Sequence, residues 1–303
     1  MAREKKKSNG KYVIICITLI ILEAILYFYL DNQYKLKEKK LETIHQKYIE
    51  EKKKLKINKE TLKDYGDIPN KIENEKKEYF NSIKLLEDKI LAGESKAKIA
   101  YLTFDDGPYY NTYKVLDILD KYDVKATFFT ISINGEYCHD KKNENCYKLY
   151  NEYIRRGHTI ANHTYTHGIK TGLYSSTEAF MDAVRRQEEL IKEQTGGYET
   201  KILRFPGGSS TAKNLKEPII EQLRSKGYGW VDWTAQDGDG KGGRTTEEMW
   251  NMFTSSINSN IEVVLLHDYN QTTTNLLPSI IEYLQKNDYI LLPLFYESNM
   301  IKK

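Results

Sequence analysis

Apolar and polar positions divide the chain into four textures. Tyr12 to Leu30 is an apolar run broken by Glu23 and a few small polar residues. At ~1.5 Å per helical residue it spans roughly 28 Å, about one hydrocarbon core. It ends in Leu26, Tyr27, Phe28, Tyr29 and Leu30, interfacial aromatics with no small-residue cleavage site. Before it, residues 1–11 carry Arg3, Lys5, Lys6, Lys7 and Lys11 against Glu4. The pattern predicts an uncleaved single-pass signal-anchor over 12–30. Residues 1–11 then lie in the cytoplasm and everything after residue 31 outside the cell. Glu23 is costly in lipid, so it is expected protonated or turned to a partner helix.

Residues 31–95 form a charged spacer rich in Lys and Glu, with one proline, Pro69. Tyr34, Leu41, Tyr48, Leu55 and Leu62 recur every seven residues, as one coiled-coil seam position would. The companion position holds Lys37, Ile44, Glu51 and Asn58. That predicts a single helix, or at most weak dimerisation through 31–62. A second amphipathic stretch carries Ile72, Tyr79, Ile83, Leu86 and Ile90. Its apolar face is expected to dock on the domain over 96–303.

From residue 98, short β-rich runs alternate with helical patterns. Strands are predicted at 99–104, 126–132, 159–161, 202–205, 228–233, 262–266 and 289–292. Helices are predicted at 112–122, 147–156, 177–194, 215–226, 245–256 and 275–285. Seven βα repeats over about 200 residues predict an α/β fold with a parallel (β/α)7–8 barrel, complete or incomplete. An open doubly wound sheet is the alternative. In either fold the C-terminal ends of strands line the site.

Those ends carry the chain's candidate chemistry. Asp105, Asp106 and Gly107 close the first strand, and His163 and His167 follow the third. Arg204 precedes Pro206, Gly207 and Gly208; Asp232 and Trp233 end the fifth strand; His267 and Asp268 end the sixth. Two imidazoles and one carboxylate make a three-ligand metal site with an open position. A cation there would acidify water and polarise a carbonyl. The second carboxylate is placed to accept a proton and the third imidazole to donate one. An Arg can brace the base and an Asp can orient the acid. Backbone N–H groups after Pro206 can stabilise an oxyanion. This set suits metal-assisted hydrolysis of an amide or ester.

The residues resemble the NodB-homology polysaccharide deacetylases, carbohydrate esterase family four. Thr103 to Pro108 resembles the family's first motif, and His163 to His167 its H-[ST]-x-x-H motif. Arg204 to Gly208 stands where the family has R-x-P; Asp232 with Trp233 resembles the end of its fourth motif, and Leu265 to His267 its fifth. The resemblance covers about residues 96–295 and implies a distorted (β/α) barrel. It implies Asp105 as catalytic base, Asp106, His163 and His167 as metal ligands, and Arg204 bracing Asp105. It further implies His267 as the acid, tuned by Asp232, Gly207 N–H in the oxyanion hole, and Trp233 and Leu265 lining the groove. Three departures are Gly207 where Tyr is frequent, Gly229 where an Asp is frequent, and Val264 where Leu is usual.

The expected activity is metal-dependent deacetylation of a cell-wall glycan, foremost the N-acetylglucosamine of peptidoglycan. N-acetylmuramic acid, a chitin-like polymer and O-acetyl xylan are alternatives, as is a silent glycan-binding wall module. The cation expected is Zn²⁺, with Co²⁺, Ni²⁺ and Mn²⁺ compatible. Forty-six basic against 43 acidic residues leave +3, too little to support nucleic-acid binding. Three cysteines exclude a disulfide-dense mini-fold. Cys138 and Cys146 are candidates for a local disulfide or, with His139, a second metal site. Tyr109 and Tyr110 are candidates for sugar stacking, and Trp230 for the core.

Overall fold

The computed structural model describes residues 68–132 and 146–303. The anchor expected over 12–30, the seam over 31–62, Cys138 and His139 lie outside the described residues. Among the described residues no helix is long and apolar enough to cross a membrane.

The strands are β1 (Lys98–Gly107), β2 (Thr127–Thr130), β3 (Thr159–Asn162), β4 (Ile202–Leu203), β5 (Gly229–Trp230), β6 (Ala235–Gln236), β7 (Ile261–His267) and β8 (Tyr289–Leu292). The helices are α1 (Ile68–Leu91), α2 (Thr112–Lys121), α3 (Lys148–Arg155), α4 (Thr177–Thr195), α5 (Lys216–Ser225), α6 (Thr246–Ser256) and α7 (Gln271–Lys286). All strands join one sheet in the order β5-β4-β3-β2-β1-β7-β6, and β8 also pairs with β1. Every ladder between named strands is parallel. β7 runs along residues 99–105 of β1. On the opposite edge β8 takes residues 98–101 and β2 takes residues 103–107. β1 is thus the axis of the fold.

The sheet does not close by hydrogen bonds, since β5 and β6 are its two ends. Four residues, 231–234, join those ends. At ~3.6 Å per residue the ends stand at most roughly 18 Å apart, so the sheet curls into an open half-barrel. The incomplete form of the expected barrel is the one adopted. Arg204 donates its N–H to Asn162 and Val231 donates to Leu203, both at 3.0 Å. The strands expected at 202–205 and 228–233 are nevertheless only two residues each, and these bonds carry the pairing one residue further as irregular backbone.

Residues alternate across β1 with period two. Ala100, Leu102 and Phe104 pack outward with Val115 and Leu116 of α2 and Tyr150 of α3. Ile99 and Tyr101 point inward with Phe129 and Val263. Asp105 continues that inner face at the strand's end and is only 3% exposed.

α1 covers the inner face near the start of β1. Ile83 and Ile90 are buried with Ile99, Tyr101 and Leu294, and Phe80 stacks on Phe295 at 4.8 Å. Residues 76–303 form one compact unit, so this stretch packs with the domain. Glu87 is fully buried and accepts hydrogen bonds from Tyr101 Oη, Ser298 Oγ at 2.6 Å and the Asn299 N–H at 2.7 Å. At the sheet margin, Trp230 and Lys302 exchange backbone hydrogen bonds of 2.9 and 2.8 Å. Gly229 sits under this crossing, where a Cβ would lie 2.3 Å from Ile301 Cγ2.

Glu87→Ala strands two buried hydroxyls and a part-buried backbone amide. It should lower the free energy of unfolding in urea by about 3 kcal/mol, with Glu87→Gln losing less. A loss below about 0.5 kcal/mol for Glu87→Ala would show that the network contributes nothing.

Candidate active site

The site begins with an irregularity in β1. In a regular strand Asp105 and Asp106 would face opposite sides of the sheet. Here β1 places a bulge between Asp105 and Gly107, and Asp106 takes φ 70°. The bulge turns both carboxylates toward one cleft. His167 also lies at positive φ, 50°. Asp and His are among the residues that tolerate this region best, though each costs of order 1–3 kcal/mol. Gly107 is required by packing, because a Cβ would lie 2.5 Å from Asp268 Oδ2.

Asp105 is held by Arg204, the largest fully buried side chain among the described residues. Arg204 Nη1 donates to Asp105 Oδ1 at 2.9 Å and to Thr103 Oγ1 at 2.7 Å. Nε and Nη2 donate to the carbonyls of Val231 and Asp232, both at 3.2 Å. The guanidinium carbon lies 4.1 Å from the Phe129 ring centroid. Burial pulls the Arg204 pKa below its usual value, and Asp105 opposes that pull.

Asp106, His163 and His167 offer one ligand atom each, all within 4.8 Å of one another. His163 Nδ1 lies 2.8 Å from the Arg204 carbonyl, which fixes that nitrogen as the N–H donor. Nε2 is left as a lone pair, 3.5 Å from Asp105 Oδ2 and 3.6 Å from Asp106 Oδ1. His167 Nε2 lies 3.7 Å from Asp106 Oδ1. Burial depresses the His163 pKa against the pull of Asp105, which favours the neutral imidazole a metal needs. The donor set fits a divalent cation.

His267 stands at the end of β7 with Nε2 3.8 Å from Asp106 Oδ2. Its Nδ1 lies 2.6 Å from Asp239 Oδ1, and its backbone N–H donates to Asp239 Oδ2 at 2.7 Å. Thr273 Oγ1 lies 2.9 Å from carboxylate oxygens of both Asp239 and Asp237. Burial opposes charge on His267. Its bond to Asp239 and the charges of Asp239, Asp106 and Asp105 outweigh burial and push the imidazole to about 10. A cation on Asp106 would cancel part of that pull.

The partner of His267 is a correction to the sequence reading, which gave Asp232 this role. Asp232 accepts instead from the Ser209 N–H at 2.9 Å and Ser209 Oγ at 2.7 Å. The reason is topological: β7 lies beside β6, and Asp239 follows β6 while Asp232 follows β5. The expected departure at Gly229 is explained by the chain crossing over it, described above. The signal available in sequence was the Asp237-Gly238-Asp239 run just before a glycine-rich loop.

Gly207, Trp233 and Leu265 line the same open cleft of about 480 Å³ with Asp105, Asp106 and the three histidines. Gly207 has φ 71°, and a Cβ there would lie 3.1 Å from Ile169 Cδ1, so a larger residue would be strained and crowded. Its N–H makes no hydrogen bond among the described residues. Tyr269, Lys241 and Arg244 also line the cleft and were not singled out in the sequence. Tyr109 packs tilted against Tyr110 at 4.7 Å and edge-on to Tyr269 at 6.3 Å between centroids. Trp230 is buried, 5% exposed. Cys146 is disulfide-bonded, which excludes it from a metal site.

The profile of the polysaccharide deacetylase family matches residues 92–228. The catalytic domain of peptidoglycan N-acetylglucosamine deacetylase from Eubacterium rectale is 36% identical, with a TM-score of 0.61 over 68% of this chain and 92% of that one. The chain belongs to the polysaccharide deacetylase family. A peptidoglycan-N-acetylglucosamine deacetylase of Bacillus cereus is 30% identical over 199 residues, 63% of this chain and 67% of that protein. YheN of Bacillus subtilis is 29% identical over 286 residues, 91% of this chain and 87% of that protein. The family is metal-dependent, and the Asp106, His163 and His167 cluster is where this deacetylase can hold its ion.

The raised His267 pKa sets a pH dependence. Stabilisation from this pairing is complete below about 6.5 and is lost as pH rises through about 10. Asp239→Asn should move any alkaline limb of the rate profile that His267 sets to lower pH by about one unit or more. Asp232→Asn should leave that limb in place, and equal shifts in both variants would contradict the pairing.

Proposed function

We propose that this deacetylase hydrolyses the acetamide of N-acetylglucosamine in peptidoglycan. The observation that carries the proposal is the placement of Asp105 and His267 around the Asp106, His163 and His167 cluster. The names of the Eubacterium rectale and Bacillus cereus relatives support the substrate.

A bound divalent cation would polarise the acetyl carbonyl and acidify a water molecule. Asp105, fixed through Oδ1 by Arg204, accepts a proton from the attacking water on its other oxygen. The Gly207 N–H donates to the oxygen that gains negative charge in the transition state. His267 Nε2, held by Asp239, gives a proton to the departing nitrogen as the C–N bond breaks. The products are acetate and a free amine on the sugar. Trp233 and Leu265 flank the acetyl methyl. One carboxylate and two imidazoles suit Zn²⁺, and Co²⁺, Ni²⁺ and Mn²⁺ accept the same donors.

We further read residues 12–30 as a membrane anchor and 31–95 as a spacer that holds the domain on the wall side. The similarity to YheN runs over 91% of this chain, which supports keeping these segments in the working protein.

The full-length protein reconstituted with Zn²⁺ should release acetate from purified peptidoglycan. Asp105→Asn should lower the rate by about 10²-fold or more, with His163→Ala losing bound metal in equilibrium dialysis. Acetate from acetyl-xylan or chitooligosaccharide alone would move the substrate. In cell fractionation the protein should stay with membranes through a high-salt wash and leave with detergent; release by salt would refute the anchor.

A further inference from the structure

One wall of the cleft has no assigned task. It is the loop from Gly238 to Arg244, which contains Gly238, Gly240, Gly242 and Gly243 and brings Lys241 and Arg244 to the cleft. The loop is fixed at both ends. Asp239 is tied to His267 at one end, and Thr245 caps α6 in a reciprocal capping box with Glu248 at the other. Arg244 closes the loop from within: Nη1 donates to the carbonyls of Gly238 at 2.7 Å and Lys241 at 3.1 Å. Gly240 packs on the acid itself, where a Cβ would lie 3.2 Å from His267 Cε1. The cation at position 241 therefore stands one residue beyond the backbone that touches His267.

The electrostatics of this wall are one-sided. Lys241 Nζ and Arg244 form no ion pair among the described residues. The loop's one acid, Asp239, is committed to His267, and Glu248 is committed to the helix cap. Elsewhere in the cleft Asp105 is paired with Arg204 at 2.9 Å and Asp106 belongs to the metal cluster. Reading a neutral glycan requires no cation. Two cations on a pinned, glycine-lined loop favour an oxyanion, and the planar guanidinium favours a carboxylate.

We propose that Lys241 and Arg244 form a carboxylate subsite that selects glycans carrying an acidic substituent beside the acetylated sugar. This rests on the deacetylase reading and refines its substrate to an anionic strand.

The test uses the full-length, Zn²⁺-loaded protein and one glycan in two forms: muramic-acid-containing strands, and the same strands with their carboxylates methyl-esterified. Wild type should show about tenfold higher kcat/KM on the acid form, carried by KM and shrinking as salt rises. Lys241→Glu, whose native side chain makes no hydrogen bond among the described residues, should bring that ratio to one or below. Arg244→Ala should lower it, and Lys241→Arg should keep it. An equal kcat/KM on both forms in wild type, or an unchanged ratio in Lys241→Glu, would overturn the subsite. Should wild type release no acetate from any glycan, the deacetylase reading fails. Calorimetric binding of the two forms to wild type and Lys241→Glu then decides the subsite independently, with equal affinities overturning it.

Discussion

A single buried ion pair organises this half-barrel. Arg204 has no contact with solvent, yet its guanidinium reaches Thr103 and Asp105 of β1, the carbonyls after β5 and the face of Phe129 on β2. Removing one partner of such a pair costs about 3–5 kcal/mol, because the other is left charged in a low dielectric. A sheet that never closes by strand pairing is thus held across its interior by side-chain and carbonyl contacts. The same contacts aim one oxygen of Asp105 into the cleft. Fold stability and the direction of a catalytic carboxylate are set together.

A second buried carboxylate governs the other end of the barrel. Glu87 draws α1, β1 and the segment at residues 298–299 to one point. Its partners are a phenol, a hydroxyl and a backbone amide, so no counter-charge is consumed. The active-site end is built differently. It accepts positive φ at Asp106, Thr164 and His167. At this end the positive-φ residues stand next to or among the metal-binding groups, where local strain can serve the chemistry.

Much of this architecture was legible in the sequence. Short, near-continuous apolar β-rich runs marked β1, β2, β3, β7 and β8, and amphipathic helices followed them. Polar residues just after the runs marked the cleft, because a parallel sheet collects its strand ends on one rim. What escaped was the two-residue β6, too short for any periodicity to register. Missing it hid which loop stands beside His267, and the role fell to Asp232 through the resemblance of Asp232 and Trp233 to the family's fourth motif. The bulge at Asp106 was equally silent, since two adjacent aspartates do not say which way either faces. Lys241 and Arg244 carried no signal in the sequence, because it is the sheet order that brings their loop to the cleft.

The crossing of the last residues over Trp230 has a consequence for solution behaviour. β5 is a terminal strand, and such edges offer unpaired amides and carbonyls to other chains. Lys302 occupies that edge with two backbone hydrogen bonds, and Ile301 fills the space above Gly229. Loss of residues 301–303 would leave every group in the cleft in place while uncovering a template for edge-to-edge aggregation. Molecules trimmed there would retain their chemistry and fail by leaving solution.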